Sequence, residues 1–172
     1  MRRNNYILTD DYVLFHGSFL SNWYPCHIEY KDMVFHCSEQ LYMWFKADYF
    51  KDEETARKIL ECKTAAEAKD LGRQVRNFND VEWNEKSYGH MVYAVYLKFK
   101  QNRSLLKEFL EIGKGRHFVE GSPYDTIWGV GIDYRDIRIR DKMNWVGLNK
   151  LGQALDYVYK ELKDDKMVIE LV

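Results

Sequence analysis

The chain has 172 residues, of which 46% are hydrophobic and 31% charged. This composition excludes a disordered or collagen-like chain and suits one folded domain over residues 1–172. Its 26 basic and 27 acidic residues give a net charge of −1, which argues against a general nucleic-acid-binding coat. The longest apolar run, Met91–Leu97, is far shorter than the roughly 20 residues that span a bilayer, so no membrane association is expected.

Strands are predicted in the first third of the chain, and helices follow. Tyr12–Phe15 is a short apolar run, and Ile28–Phe35 has the pattern of a hairpin with its turn at Lys31–Asp32. Helices are predicted at Glu39–Phe50 behind a Ser38 N-cap, from Asp52 to about Glu61, from a capping box at Thr64 to Gly72, from Asp80 onward, at Ser104–Ile112 and at Asn149–Leu162.

Two further segments are predicted as strands. The alternating basic residues of Arg135–Arg140 favour a solvated strand edge over a nucleic-acid-binding tract, and Met167–Val172 is expected to be a short strand. The sum is an α+β fold, a single helix-dominated domain with a small N-terminal β-hairpin or sheet.

The cysteines and histidines lack the spacing of metal sites. Cys26, Cys37 and Cys62 are odd in number and form no CxxC pair, which argues against a disulfide framework and a structural zinc. Reduced thiols favour a cytoplasmic location. The five histidines show no HxxxH or HExxH spacing, so neither a metal nor another cofactor is expected.

The predicted helix at Glu39–Phe50 carries two charges on a face that is otherwise apolar. At 100° per residue, Glu39, Tyr42 and Lys46 share one side, and the helix is apolar on other sides too, as buried helices are. Two interpretations stay open. In the first, the charges reach water or form structural ion pairs. In the second, both charges face one pocket, in which burial adjusts the pKa values of Glu39 and Lys46 for acid–base or nucleophilic chemistry.

A second candidate is the loop at Ser122–Gly131. Asp125 is suited to accept hydrogen bonds from ribose hydroxyls, Trp128 to stack on a base, and the backbone at Gly129 to approach a phosphate. The spacing lacks the third glycine of a dinucleotide-binding motif and the Gly-Lys end of a P-loop. A structural turn with a core Trp is the alternative.

The third candidate is the segment Trp145–Gly152. Asn149 is predicted as the N-cap of the last helix. Trp145 precedes that helix start, where a phosphate would also bind favourably.

These motifs, in this order, resemble the NADAR family, also called YbiA-like, from about Phe15 to Val158. The resembling blocks are Ser21–Pro25, Ser38–Ala47, Ala68–Arg73 with Trp83, Met91–Asn102, Ser122–Gly131 and Trp145–Gly152. Three positions depart from the family pattern. Gln40 stands where a His commonly follows the Glu, Trp23 replaces a Phe, and Leu155–Tyr159 lacks the usual Met and terminal Arg.

The resemblance implies an enzyme that cleaves the N-glycosidic bond between ribose C1 and a base nitrogen. It implies two substrate classes: ADP-ribose attached to guanine in nucleic acid, including modified single-stranded DNA, and ribosylamino-pyrimidine phosphates of the riboflavin pathway. The alternative is a non-catalytic module that binds ADP-ribose or NAD.

Roles for the site residues follow from this resemblance together with the chemistry of each side chain. Glu39 is expected to orient or deprotonate a ribose hydroxyl or a water, and Lys46 to hold charge near C1 or attack it as a Schiff-base nucleophile. Asp125 is the third catalytic candidate. The expected substrate-binding residues are Asn22, Trp83, Lys98, which would meet phosphate, Trp128, Gly129, Trp145 and Asn149.

Overall fold

The computed structural model describes residues 5–165, so the strand predicted at Met167–Val172 lies outside the described residues. The elements, in chain order, are β1 (Tyr6–Leu8), β2 (Tyr12–Phe15), β3 (Ile28–Tyr30), β4 (Met33–Phe35), α1 (Ser38–Tyr49), α2 (Glu53–Glu61), α3 (Ala65–Gly72), α4 (Asp80–Gln101), α5 (Arg103–Ile112), β5 (His117–Glu120) and α6 (Lys150–Lys163). This is the α+β class that the sequence predicts.

The described chain forms two compact units. The first unit contains residues 5–21 and 103–165, and the second contains residues 22–102. The second unit is therefore a continuous stretch of chain, whereas the first is assembled from two stretches that are distant in sequence.

The first unit is built on a three-stranded sheet in the order β1-β2-β5. β1 and β2 are antiparallel, and β2 and β5 are parallel, with Tyr12 opposite His117 and Phe15 opposite Glu120. Leu14, Val119, Val130 and Ile139 form a buried apolar cluster in this unit. Because β2 and β5 run in parallel, their carboxyl ends lie at the same edge of the sheet.

The segment between β5 and α6 is irregular, and the strand edge predicted at Arg135–Arg140 is wrong. Ile137–Arg140 forms a 3₁₀ turn, and a second such turn follows at Lys142–Asn144. Arg138 contacts the Asp136 carboxylate at 2.6 Å, and that carboxylate also accepts a hydrogen bond from the Arg138 backbone N–H. Asp side chains that bond the backbone two residues on favour turns over strands, which explains the difference.

The second unit contains the predicted hairpin and four helices. β3 and β4 pair antiparallel around Lys31 and Asp32, whose φ angles are 48° and 61°. Two successive positive φ angles characterise the turn that matches the twist of a tight hairpin. The hairpin prediction is therefore confirmed.

Local capping rules predict most helix starts in the second unit. Asp52 caps α2, and Thr64 and Glu67 form the capping box of α3, as expected. The Ser38 prediction is wrong by one residue, because Cys37 is the extended residue before α1 and its Sγ accepts from the Gln40 N–H. α4 begins at Asp80, as predicted, and Asn79 is its N-cap.

None of the helices among residues 5–165 is long and apolar enough to cross a membrane. Cys26, Cys37 and Cys62 are free thiols.

Candidate active site

Asn22, Ser38 and Glu39 form a buried polar cluster at the start of α1. The Glu39 N–H donates to the Asn22 carbonyl oxygen at 3.0 Å, and Ser38 Oγ donates to Asn22 Oδ1 at 3.1 Å. Asn22 and Glu39 are each only 7% exposed. The cluster fixes the backbone of Glu39 in the first turn of a helix, where the helix dipole favours the negative charge of its side chain.

Lys98 of α4 belongs to the same electrostatic environment. Its side chain is 0% exposed, and burial lowers the pKa of its ammonium to about 8. Burial raises the pKa of the Cys37 thiol to about 12, while the Glu39 carboxylate raises that pKa further and Lys98 lowers it. Both charged groups therefore act on the same buried thiol. Hydrogen bonds bring Asn22 and Glu39 together at the start of α1.

Lys46 lies two turns along α1 from Glu39, a rise of about 10 Å. Its ammonium donates to the Gly72 carbonyl oxygen at 2.8 Å and lies 4.0 Å from the centre of the Phe78 ring. Desolvation lowers the pKa of Lys46, and Asp80 opposes that shift. The predicted desolvation of this lysine is thus present, with Gly72 and Phe78 as its contacts.

Trp83 lies in an aromatic layer of the second unit. Its indole stacks on His90 at 5.4 Å and contacts Tyr42 at 5.5 Å. Phe50 and Tyr49 complete its surroundings. With 7% of its surface exposed, Trp83 packs chiefly against protein rings, and its role in substrate binding stays a prediction.

The loop of the first unit is shaped by Asp125. Its Oδ1 accepts hydrogen bonds from the N–H groups of Ile127 and Trp128 at 2.9 and 2.8 Å. A side chain at Gly129 would press on the carbonyl oxygens of Asp125 and Glu120. The glycine is therefore required for the close approach of two backbone segments, and Asp125 has a structural function beside the predicted catalytic one.

Asn149 precedes α6, but its side chain makes no cap hydrogen bond, so that part of the prediction is wrong. Its Oδ1 accepts from the Glu120 N–H and its Nδ2 donates to the Phe118 carbonyl oxygen, both at 3.0 Å. The left-handed backbone at Asn149, with φ of 53°, directs the side chain to β5 rather than to the helix. The amide thus links α6 to the sheet.

Trp145 is half-buried against the apolar cluster of the first unit. Its Nε1 donates to the Ile139 carbonyl oxygen at 2.7 Å, and its ring meets Tyr12 edge-on at 5.9 Å. It also lines a cavity of about 650 Å³ with His117 and Asp156. Stacking of Trp145 on a substrate base stays a prediction.

Comparisons with known proteins identify the family. The family model described as the NADAR domain matches residues 14–163. This chain belongs to the NADAR family. A protein of Acanthamoeba polyphaga mimivirus named as an N-glycosidase is 35% identical, over 89% of this chain and 97% of the relative. A riboflavin biosynthesis protein of Vibrio vulnificus is 32% identical, over 87% of this chain and 36% of the relative.

A solved structure shares the fold of this NADAR chain. The Escherichia coli protein YbiA superimposes with a TM-score of 0.74 at 22% identity, over 96% of this chain and 93% of YbiA. At that level of identity the likeness shows the fold alone.

One further pair in the NADAR chain escaped the sequence analysis. Glu120, the last residue of β5, is buried, and its Oε1 lies 2.8 Å from Nδ1 of His16, which follows β2. The available signal was an acidic residue at the end of the apolar run Phe118–Val119. Nothing in the sequence placed that run beside β2. Within residues 5–165, no group of three His, Cys, Asp or Glu side chains is arranged to hold a metal ion.

Proposed function

We propose that this chain hydrolyses the N-glycosidic bond between ribose C1 and a base nitrogen. The observation that carries the proposal is the buried Glu39 carboxylate, fixed at the start of α1 beside Asn22. Relatives named as N-glycosidases, from mimivirus and from Nostoc punctiforme, support this reaction class. A carboxylate held in this way can act as a general base on a water or a ribose hydroxyl.

The lysines have distinct parts in this proposal. Lys46 is half-exposed and has a lowered pKa, so a larger share of its amine is uncharged and nucleophilic than in an ordinary lysine. It attacks C1 of the ring-opened sugar, and the C1–N bond breaks with its electron pair on the base nitrogen, which takes up a proton. Water then hydrolyses the Lys46 Schiff base, leaving its oxygen on C1 and freeing the amine. Lys98 is wholly buried, which is a poor position for meeting a phosphate from solvent. We instead assign Lys98 to the interior of the second unit, where the Cys26 and Cys37 thiols oppose the lowering of its pKa by burial.

The first unit supplies the remaining candidates. Asp125 is half-exposed, and only its Oδ1 is used by the backbone hydrogen bonds described above. Its other oxygen is suited to a ribose hydroxyl, and the neighbouring Trp128 ring to a flat base. The substrate is either ADP-ribosylated guanine in nucleic acid, single-stranded DNA included, or a ribosylamino-pyrimidine phosphate. The riboflavin biosynthesis relative keeps the second class in the proposal.

A paired turnover assay tests the proposal. One reaction holds an oligonucleotide with ADP-ribosylated guanine, and the other holds the ribosylamino-pyrimidine phosphate, with free ADP-ribose or ribose phosphate measured by mass spectrometry. Glu39→Gln is expected to lower turnover by at least about 10²-fold. Glu61→Gln, which changes an exposed acid of α2 paired with Arg57, is the matched control and is expected to keep wild-type turnover.

The outcomes separate the candidates. Release from only one substrate identifies the substrate class. Wild-type turnover in Glu39→Gln would overturn the role of that carboxylate. Tight binding of ADP-ribose or NAD with no release from either substrate would replace the enzyme with a non-catalytic binding module.

A further inference from the structure

The carboxyl edge of the parallel strands holds a His–carboxylate pair that none of the assigned roles uses. Phe15 ends β2 and Glu120 ends β5, and these two residues are opposite each other in the parallel register. His16 and Glu120 therefore leave the sheet at the same edge, with Nδ1 and Oε1 2.8 Å apart. Side chains from the carboxyl ends of neighbouring parallel strands commonly form ligand sites.

The two members of the pair differ sharply in exposure. The His16 side chain is 48% exposed, whereas that of Glu120 is 7% exposed. Burial raises the pKa of Glu120, and the hydrogen bond to the Glu120 carboxylate raises the pKa of His16. The pair consequently retains one proton to higher pH than an isolated imidazole would, and it connects a buried carboxyl group to solvent.

The fold does not need this carboxylate to position the end of β5. The Glu120 backbone is already fixed, because its N–H donates to Asn149 Oδ1 and its carbonyl oxygen accepts from the Val130 N–H. Removing a carboxylate from water is unfavourable, so an apolar residue at this position would serve a purely structural purpose better. Buried acids of this kind are concentrated at functional sites.

Three charged side chains of the first unit act on the pair. The Asp125 carboxylate raises the pKa of Glu120, and Asp133 raises that of His16. Arg135 opposes the shift at His16, but it is bonded to Asp133 at 2.8 Å. The pair thus shares its surroundings with the candidate residue Asp125, while the charge of Arg135 is balanced by that of Asp133.

We propose that Glu120 is a further catalytic residue, the proton donor to the departing base nitrogen, and that His16 is its positioning residue. This inference rests on the proposed N-glycosidase function. When the C1–N bond breaks, its electron pair stays on nitrogen, which takes a proton from Glu120. Water then hydrolyses the Lys46 Schiff base and leaves its oxygen on C1, and the proton that this step releases returns to the pair from solvent through His16.

The test combines a titration with pH–rate profiles. The His16 ring resonances are followed by NMR in the wild type and in Glu120→Gln, and kcat/KM is measured against pH for both proteins and for His16→Gln. We expect the pKa of His16 to fall in Glu120→Gln, and turnover at neutral pH to drop by about 10²-fold or more. The alkaline limb of the wild-type profile should coincide with the His16 titration. It should be absent from Glu120→Gln and should shift in His16→Gln, where Glu120 holds the proton alone.

His117→Gln is the matched control. His117 begins β5, its Nδ1 lies 2.9 Å from Asp156 Oδ2, and its side chain is 74% exposed. The same type of pair is therefore removed from the opposite end of the same strand. This variant is expected to keep the wild-type rate and pH profile.

The results distinguish this inference from the proposed function. A wild-type protein that releases base from neither substrate overturns both. An active wild type with unchanged turnover and pH profile in Glu120→Gln overturns only the role of Glu120. An unchanged His16 titration in that variant overturns the coupling of the pair. Loss of turnover in His16→Gln with an unaltered alkaline limb would reduce His16 to a structural contact.

Discussion

The two units of this NADAR chain hold their buried charges by different means. In residues 22–102, Glu39 and Lys98 project from helices whose starts are fixed by nearby caps and whose faces are covered by aromatic rings. In residues 5–21 and 103–165, Glu120 is held at a strand end by contacts from sequence-distant segments, including the Asn149 amide. A buried charge can thus be supported by local helix rules in one unit and by long-range backbone contacts in the other.

The largest expected effect tests whether the second unit supplies the reactive amine. Lys46→Arg keeps a positive charge but removes the amine that a Schiff base requires, so turnover should fall on the order of 10³-fold. Borohydride added during turnover, followed by peptide mass spectrometry, should locate the trapped adduct on Lys46 in the wild type. Lys100→Arg, at an exposed lysine that contacts Tyr96, is expected to change neither result. An adduct on Lys98 instead would move the nucleophile to the buried lysine.

The next effect tests the dependence of the first unit on close backbone contacts. A methyl group at Gly152 of α6 would overlap the Phe118 carbonyl oxygen and the Asn149 side chain. Gly152→Ala should therefore lower the free energy of unfolding by about 2–3 kcal/mol, because the helix must move away from β5. Urea denaturation measures this change, and a variant as stable as the wild type would show that α6 and β5 tolerate separation.

These two units also differ in how far the sequence predicts them. The hairpin at Lys31–Asp32 and the caps at Asp52 and Thr64 are local signals, and the structure confirms them. The sequence does not predict β5. Its four residues pair with β2, about 100 positions earlier in the chain, and nothing in those residues signals that partner.

The sequence likewise predicts the part of the candidate site that depends on local motifs, but not the part that depends on long-range strand pairing. Glu39 and Asn22 were selected, and the structure brings them together, because the family-like motifs at both positions were visible in the sequence. Glu120 was not selected, since its partner His16 becomes its neighbour only through the parallel pairing. The helix N-cap predicted at Ser38 lies one residue earlier, at Cys37, because the Cys37 thiol, ordinarily a weak hydrogen-bond acceptor, takes the capping hydrogen bond.

A smaller effect tests how much the Asp52 cap of α2 stabilises the second unit. Asp52 caps α2 through the Thr55 N–H and accepts hydrogen bonds from both the backbone and the guanidinium of Arg76. Asp52→Ala should lower the free energy of unfolding by about 1–2 kcal/mol. Asp70→Ala, which breaks an exposed contact with Arg73, should cost less than about 0.5 kcal/mol and serves as the control.

The same variant has a predictable pH dependence. The Arg76 guanidinium holds the pKa of Asp52 well below its usual range. The stabilisation is thus complete above the unfolded-state pKa of about 3.9 and is lost as pH falls through the lower folded-state value. Urea midpoints of wild type and Asp52→Ala should converge in strong acid. A constant difference down to pH 2 would assign the effect to the cap geometry alone.

The smallest effect runs in the opposite direction. Gly89 lies in the middle of α4, and a methyl group there would meet no heavy atom within 4 Å. Gly89→Ala should raise the free energy of unfolding by about 0.8 kcal/mol, since alanine favours the helical backbone more than glycine does. Together with Gly152→Ala, it gives glycine-to-alanine changes of opposite sign in the two units. A destabilised Gly89→Ala protein would remove that contrast.

The parallel pairing of β2 with β5 also determines an order of events during synthesis. Chain growth delivers β2 early, but its partner emerges only after residues 22–102 have been made. The helices of that intervening stretch pack on one another within one continuous segment and can form while the ribosome is still translating. The central strand of the first unit, in contrast, has an open edge until β5 arrives. The nascent chain therefore exposes one open strand edge for most of its elongation, and a chaperone that shields strand edges would find its target there.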